Sequence, residues 1–224
     1  MKLTDVFFDL DHTLWDFDRN SALAFGQIFS HREIGVSVGD FLLHYIPLNK
    51  MYWEKYRHDQ ISQEDLRYRR LRDSFDNLNY EITDELILTI SDDYIESLTS
   101  YNHLFDGALE VLDYLRPKYN LHIITNGFQS IQERKLVNSG LKPFFDTVTN
   151  SEHCGVKKPN RLIFEHALRV SGADASCSVM IGDCLDADVG GALNCGMDAI
   201  LFSVDDCPAH IKRIKALREL KDFL

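Results

Sequence analysis

The sequence predicts an α/β protein, a doubly wound parallel sheet that carries an inserted block of helices. Three observations predict it. From residue 101 onward, short apolar and β-branched runs alternate with helix-length segments, which is the rhythm of βαβ units. One more run of the same kind stands alone at residues 3–8. Between them, residues 17–100 hold few glycines, many aromatics and charges, and no strand pattern. The expected division is a core of residues 1–16 and 101–224, with a helical domain at 17–100.

Each element follows from local signals. The first strand, residues 3–8, ends abruptly at Asp9. The block after it should contain three to five helices, with helix-period stretches at 21–25 and 42–46. Ser62-Gln63-Glu64-Asp65 supplies a capping residue and first-turn acids before Leu66. A helix over 107–115 precedes a strand at 121–124. The next helix begins near Phe128 and stops at Ser139-Gly140, with Pro143 just beyond. A short strand at 147–149 comes before a helix at 159–170 that Gly172 closes. A strand at 178–181, a helix at 187–194 and a strand at 199–202 complete the alternation. The C-terminal segment reads as a helix, because Ile211, Ile214, Leu217 and Leu220 recur every three residues among lysines and arginines. That stripe is expected to pack in the core rather than meet a partner.

Composition narrows the class. A chain of 224 residues with 45% hydrophobic content buries a core without a disulfide or metal staple. Charged residues at 26% and aromatics at 11% exclude a disordered or low-complexity polymer. Lys and Arg number 24 against 35 Asp and Glu, a net charge of −11 that argues against a nucleic-acid polymer as partner. No apolar run approaches the roughly 18 residues of a membrane span. Met1-Lys2-Leu3-Thr4-Asp5 meets an acid before a signal-like stretch can form. Cys154, Cys177, Cys184, Cys195 and Cys207 include no C-x-x-C, so a reduced, cytoplasmic protein is expected.

In open parallel sheets, ligands bind beyond the carboxyl ends of the strands. The first strand runs into Asp9-Leu10-Asp11-His12-Thr13, and the second into Thr125-Asn126-Gly127. The third leads to Asn150-Ser151-Glu152 and then Val156-Lys157-Lys158-Pro159. The fourth ends in Gly182-Asp183-Cys184-Leu185-Asp186-Ala187-Asp188. Several carboxylates brought to one edge repel one another unless a cation joins them. An oxygen-only, partly open donor set suits Mg²⁺, which favours phosphate substrates.

Plainer readings compete at each position. Asp9 and Asp11 alone could be a solvated strand end with Thr13 capping a turn, and Thr125 an ordinary β-branched strand residue. An EF-hand is excluded. A 12-residue loop begun at Asp9 puts Leu14 where glycine belongs and Asn20 where glutamate belongs, and one begun at Asp186 ends on Met197. Lys157 and Lys158 compete for one role, and Cys184, next to Asp183, is either small filler or a reactive thiol. Arg67, Arg69, Arg70 and Arg72 form either a solvated helix face or a substrate contact.

Asp-x-Asp-x-Thr after an apolar strand, Thr after a second, Lys-Pro opening a helix, and Gly-Asp-x-x-x-x-Asp after a fourth resemble the four motifs of the haloacid dehalogenase superfamily. The ordered set spans the whole core, and the inserted block is similar to that superfamily's helical cap. Leu14-Trp15-Asp16-Phe17, Thr125-Asn126-Gly127-Phe128, residues 139–146 and Ser151-Glu152 resemble the bacterial pyrimidine 5′-nucleotidase branch. The resemblance implies a Rossmann-like core and an Mg²⁺-dependent phosphatase for small phosphorylated substrates; for its assembly, monomer and homodimer both stay open.

Asp9 would be the nucleophile, passing through an aspartyl-phosphate, and Asp11 the general acid and base. Thr125, Asn126, Lys158 and Asp11 would bind the substrate phosphate, with Lys158 offsetting charge at phosphorus and on Asp9. The implied metal ligands are the Asp9 carboxylate, the Asp11 backbone carbonyl and Asp183, with Asp188 supporting them from behind; Asp186 has no assigned role. His12 departs from the family, which usually has Asp or Gly there.

The same core also serves phosphoglycolate or sugar-phosphate phosphatases and phosphomutases. Haloacid dehalogenation does not need the acid at Asp11. A phospho-aspartate switch would be shorter, would lack the insert and would place its aspartate later in the chain.

Overall fold

A computed structural model describes residues 2–224. The chain forms two compact units, one built from the segment ending at Asp16 together with Asn102–Leu224, the other from Phe17–Tyr101. The first holds six strands: β1 (Asp5–Phe8), β2 (Asn120–Thr125), β3 (Thr147–Asn150), β4 (Ser178–Gly182), β5 (Asp198–Phe202) and β6 (Lys212–Ile214). They form one sheet in the order β3-β2-β1-β4-β5-β6, and every pairing is parallel. A sheet with both faces covered needs strands that are apolar throughout, and β1 and β4 are buried at every position. This is the fold class the alternation predicts.

The helical unit contains α1 (Phe17–His31), α2 (Val38–Arg57), α3 (Gln63–Asn77) and α4 (Asp84–Ser97). Ser37, Ser62 and Thr83 cap the last three, each side chain accepting a backbone N–H of the first turn. Its interior is aromatic. Phe25 stacks on Tyr94 with ring centroids 4.4 Å apart, Phe29, Phe41 and Tyr45 pack around it, and Phe75 packs on Phe29 and Phe41. The four arginines of α3 separate by role. Arg67, Arg69 and Arg72 pair on the surface with Asp92, Asp65 and Asp76, whereas Arg70 is buried and donates to Asn49 Oδ1 at 2.9 Å.

In the first unit the remaining helices are α5 (Ala108–Leu115), α6 (Gln129–Asn138), α7 (Ser151–Cys154), α8 (Arg161–Ser171) and α9 (Gly191–Asn194). α8 buries Ile163, Phe164 and Ala167 against Phe7, Ile124 and Met180 of the sheet. Two expectations are corrected. The segment at 187–194 is not one α-helix, because a wide π-turn over Leu185–Gly190 precedes the short α9.

The C-terminal stripe is a strand and a 3₁₀ turn instead of a helix: β6 pairs Ile214 with Phe202, and Leu217–Asp222 is 3₁₀. Strict three-residue spacing is the 3₁₀ period, not the α period of 3.6. The packing expectation stands, since Ile214, Leu217 and Leu220 are all fully buried. No helix among the described residues is long and apolar enough to cross a membrane.

Candidate active site

β1 delivers Asp9 to the carboxyl edge. Its N–H still reaches the Ile181 carbonyl at 2.9 Å, so parallel pairing with β4 fixes its backbone. The chain then turns tightly, with the Leu10 carbonyl accepting from the N–H groups of Leu14 (3.0 Å) and Trp15 (2.9 Å). Inside this turn His12 has φ +62°. The left-handed region admits Gly, Asn, Asp and His more readily than other residues, so backbone conformation accounts for the histidine.

Lys158 lies on the nucleophile candidate. Its ammonium donates to Asp9 Oδ1 (2.6 Å), Asp188 Oδ1 (2.7 Å) and the Ile124 carbonyl (2.6 Å). An ammonium has three hydrogens, so each has a protein acceptor. Of the two competing lysines, Lys158 is the fully buried one. Asn126 holds its backbone from both sides: Oδ1 accepts the Lys158 N–H at 2.8 Å and Nδ2 donates to the Lys158 carbonyl at 2.9 Å. The Asn126 side chain is thereby committed to the Lys158 loop.

β4 ends in Gly182 and presents Asp183, and the π-turn brings Asp188 back beneath it. A Cβ at Gly182 would fall on the Asp188 carboxyl, so glycine is required there. Asp188 Oδ2 also accepts the Cys184 N–H at 3.0 Å, and Cys184 Sγ accepts the Ala187 N–H at 3.4 Å. Cys184 thus caps the turn. Carboxylate oxygens of Asp9, Asp183 and Asp188 lie within 4.8 Å of one another.

Three carboxylates against one ammonium leave the cluster two charges short of neutral when all are ionised. The carboxyl groups respond accordingly. Burial pushes Asp9 up to about 8; Lys158 opposes this, and Asp188 and Asp183 add to it. Burial, then the charge of Asp188, pushes Asp183 up to about 7. The same neighbours and Lys158's own burial oppose one another, and its ammonium is held charged by Asp188 and Asp9.

Asp11 stands beside this cluster, close enough for its charge to act on Asp183. Its side chain is 21% exposed, and Lys135 Nζ donates to Oδ1 at 2.5 Å while Gln132 Nε2 donates to Oδ2 at 2.9 Å. Thr125 Oγ1 accepts from Gln132 Nε2 (2.7 Å) and from the Gly127 N–H (3.2 Å). With both acceptor sites used, its remaining capacity is to donate its own proton. α6 begins only at Gln129, whose N–H is taken by Glu152 Oε2 at 2.6 Å.

Asp9, Asp11, Asp183, Asp188, Thr125 and Lys158 therefore meet at one strand edge, while Asp186 is exposed. Gln132 and Lys135 are the residues the sequence reading missed. Their signal was present, since both are polar yet fall beside Ile131 and Leu136 on the buried stripe of α6.

Residues 6–196 match the family model of the haloacid dehalogenase-like hydrolases. The chain is 32% identical to the pyrimidine 5′-nucleotidase YjjG of Escherichia coli over 88% of its own length and 84% of that protein. It is 30% identical to a glyceraldehyde 3-phosphate phosphatase of Methanothermobacter thermautotrophicus, covering 99% of this chain and 100% of that one. A crystal structure of YfnB from Bacillus subtilis bound to magnesium superposes with a TM-score of 0.89 at 27% identity, over 100% of this chain and 99% of that one.

Proposed function

This chain belongs to the haloacid dehalogenase-like hydrolases, and from that premise we propose that it is a magnesium-dependent phosphatase of small phosphomonoesters, with pyrimidine nucleoside 5′-monophosphates as its preferred class. One observation carries the reading: the Asp9, Asp183 and Asp188 carboxylates lie within 4.8 Å of one another, with Lys158 on Asp9. The donor set fits Mg²⁺, being all oxygen, and its deficit of two charges matches a divalent cation. Asp9 and Asp183 would hold the ion with the Asp11 backbone carbonyl, and Asp188 would steady both Lys158 and the turn behind them. When bound, the cation masks charge between carboxylate and phosphate dianion.

The chain's own groups account for the rest. An Asp9 oxygen forms a bond to phosphorus as the bond to the leaving oxygen breaks, and Asp11 gives that oxygen its proton. Asp11 then takes a proton from water, whose oxygen attacks phosphorus, releasing inorganic phosphate and restoring Asp9. Thr125 donates its hydroxyl proton to a phosphoryl oxygen. Lys158, its hydrogens already committed, acts by holding Asp9 and offsetting its charge. Asp11 also favours phosphate chemistry over carbon–halogen hydrolysis, which needs no acid there.

Similarity to YjjG over most of both chains supports the nucleotide preference. The full-length likeness to a glyceraldehyde 3-phosphate phosphatase supports a second reading, a triose-phosphate substrate. Phosphate release with Mg²⁺ from UMP, dUMP, dTMP, purine nucleotides, glyceraldehyde 3-phosphate, phosphoglycolate and a hexose phosphate tests both. The pyrimidine nucleotides should give the highest kcat/KM; equal or better turnover of a triose phosphate or phosphoglycolate would remove the nucleotidase assignment.

A further inference from the structure

Two buried polar side chains of α6 end on Asp11. Gln132 and Lys135 stand three residues apart on one helix face and are 1% and 2% exposed. Lys135 Nζ donates to Asp11 Oδ1 at 2.5 Å and Gln132 Nε2 to Oδ2 at 2.9 Å, so one rigid helix grips both carboxylate oxygens. The same Gln132 amide donates to Thr125 Oγ1 at 2.7 Å. Lys135 Nζ also lies 4.2 Å from the Trp15 ring centroid, and the Trp15 N–H closes the turn that carries Asp11 by bonding Leu10 O at 2.9 Å. A Cβ at Gly127 would fall on the Gln132 side chain, so the glycine makes room for it.

An apolar pair would cover the sheet without the cost of desolvating an ammonium and an amide. Gln132 Oε1 adds to that cost, for it is buried with no hydrogen-bond partner among the described residues. Polar groups kept at such cost and converging on one reacting carboxylate indicate positioning rather than packing.

We infer that Gln132 and Lys135 are positioning residues that act through Asp11, locking its carboxylate toward the leaving oxygen and then toward the attacking water. The inference rests on the phosphatase reading above. Each Asp11 oxygen retains a second lone pair, so the brace leaves room for the proton that Asp11 carries. Without it, both side-chain torsions of Asp11 are released and the proton is delivered from a spread of positions.

The test exploits leaving groups. Lys135→Met keeps the stem over Trp15 and removes the charge; Gln132→Met keeps the shape and removes the amide. For each variant, kcat/KM is measured with Mg²⁺ on the best alkyl phosphomonoester of the wild type and on 4-nitrophenyl phosphate, whose phenolate departs without a proton. Loss on the alkyl ester should be about 10²-fold, and about tenfold or more beyond the loss on the aryl ester. Equal losses on the two esters, or none, overturn the inference.

Thermal unfolding separates misfolding from mispositioning. If Lys135→Met does not fold, Gln132→Met decides; loss of folding in both assigns the pair to stability and overturns the inference. A wild type that releases phosphate from no monoester fails the phosphatase reading itself. An active wild type whose variants keep the leaving-group ratio fails only the brace.

Discussion

At Asp9 the needs of chemistry and of folding oppose each other. Burial, reinforced by Asp188 and Asp183, raises its carboxyl to about 8 although Lys158 sits on it. Without a cation, the folded chain is therefore better off with this group protonated. Asp9→Asn should cut phosphate release by on the order of 10⁴-fold or more and abolish covalent labelling by substrate. In chelator the same variant should melt higher than wild type, by about 2 °C or more, because one member of a crowded acid cluster has gone. A lower melting temperature would show that the Lys158 pair outweighs the repulsion. Asp11 behaves differently, since its carboxylate is braced by Lys135 and Gln132 and stands outside the Asp9–Asp183–Asp188 cluster. Asp11→Ala should lose about 10²–10⁴-fold in turnover yet bind Mg²⁺ as wild type does by calorimetry. Loss of metal binding as well would place its side chain among the ligands.

The elements set these side chains partly through a close approach that glycine permits. At the end of β4, a Cβ on Gly182 would occupy the space of the Asp188 carboxyl. Gly182→Ala should push Asp188 off Lys158 and weaken Mg²⁺ binding about 10–100-fold, as losses behind a metal ligand do; calorimetry showing unchanged affinity would refute this. At this scale the sequence was legible where a rule is local. Strand runs such as β2, the Gly172 stop of α8 and the Ser62 cap of α3 each follow from a few neighbouring residues. The order of acids after β1 and β4 was equally legible, because parallel strands send their carboxyl ends to one edge. Two things were not. β6 shares its three-residue spacing with a helix face, and only pairing with β5 distinguishes them. The partners of Gln132 and Lys135 were the other: their place beside Ile131 and Leu136 marks them as buried, but what they touch comes from the β1 turn and β2, at least seven positions away in sequence.

Over the whole molecule, acids outnumber bases by 11, and many of the bases sit in exposed ion pairs such as Arg218 with Asp106 and Lys221 with Glu110. Pairs of that kind contribute little and are screened by salt. The pH dependence of stability is therefore set by buried groups. Burial lowers His122 although Asp5 opposes it; at Asp5, hydrogen bonds from Thr4, Asn120 and His122 outweigh burial and lower its carboxyl. Depressed values such as these give stability that is lost as pH falls, so both act at the acid end. Asp9 and Asp183 have the opposite sign. Their values are raised from 3.8 to about 8 and about 7, so the stability they provide is complete below pH 3.8 and disappears as pH climbs through 7 to 8. Metal-free protein should accordingly lose melting temperature between pH 6 and pH 8.5. A divalent cation takes the place of the protons those carboxylates would otherwise hold, and its binding to the folded chain strengthens as they ionise. The rise in melting temperature on adding saturating Mg²⁺ should thus be larger at pH 8.5 than at pH 6, by about 4 °C or more at the ~2–4 °C per kcal/mol typical of a chain this size. Thermal scans of chelator-treated protein at the two pH values, with and without added Mg²⁺, measure the difference directly. An equal or smaller rise at pH 8.5 would mean that the acid cluster is not where the cation binds.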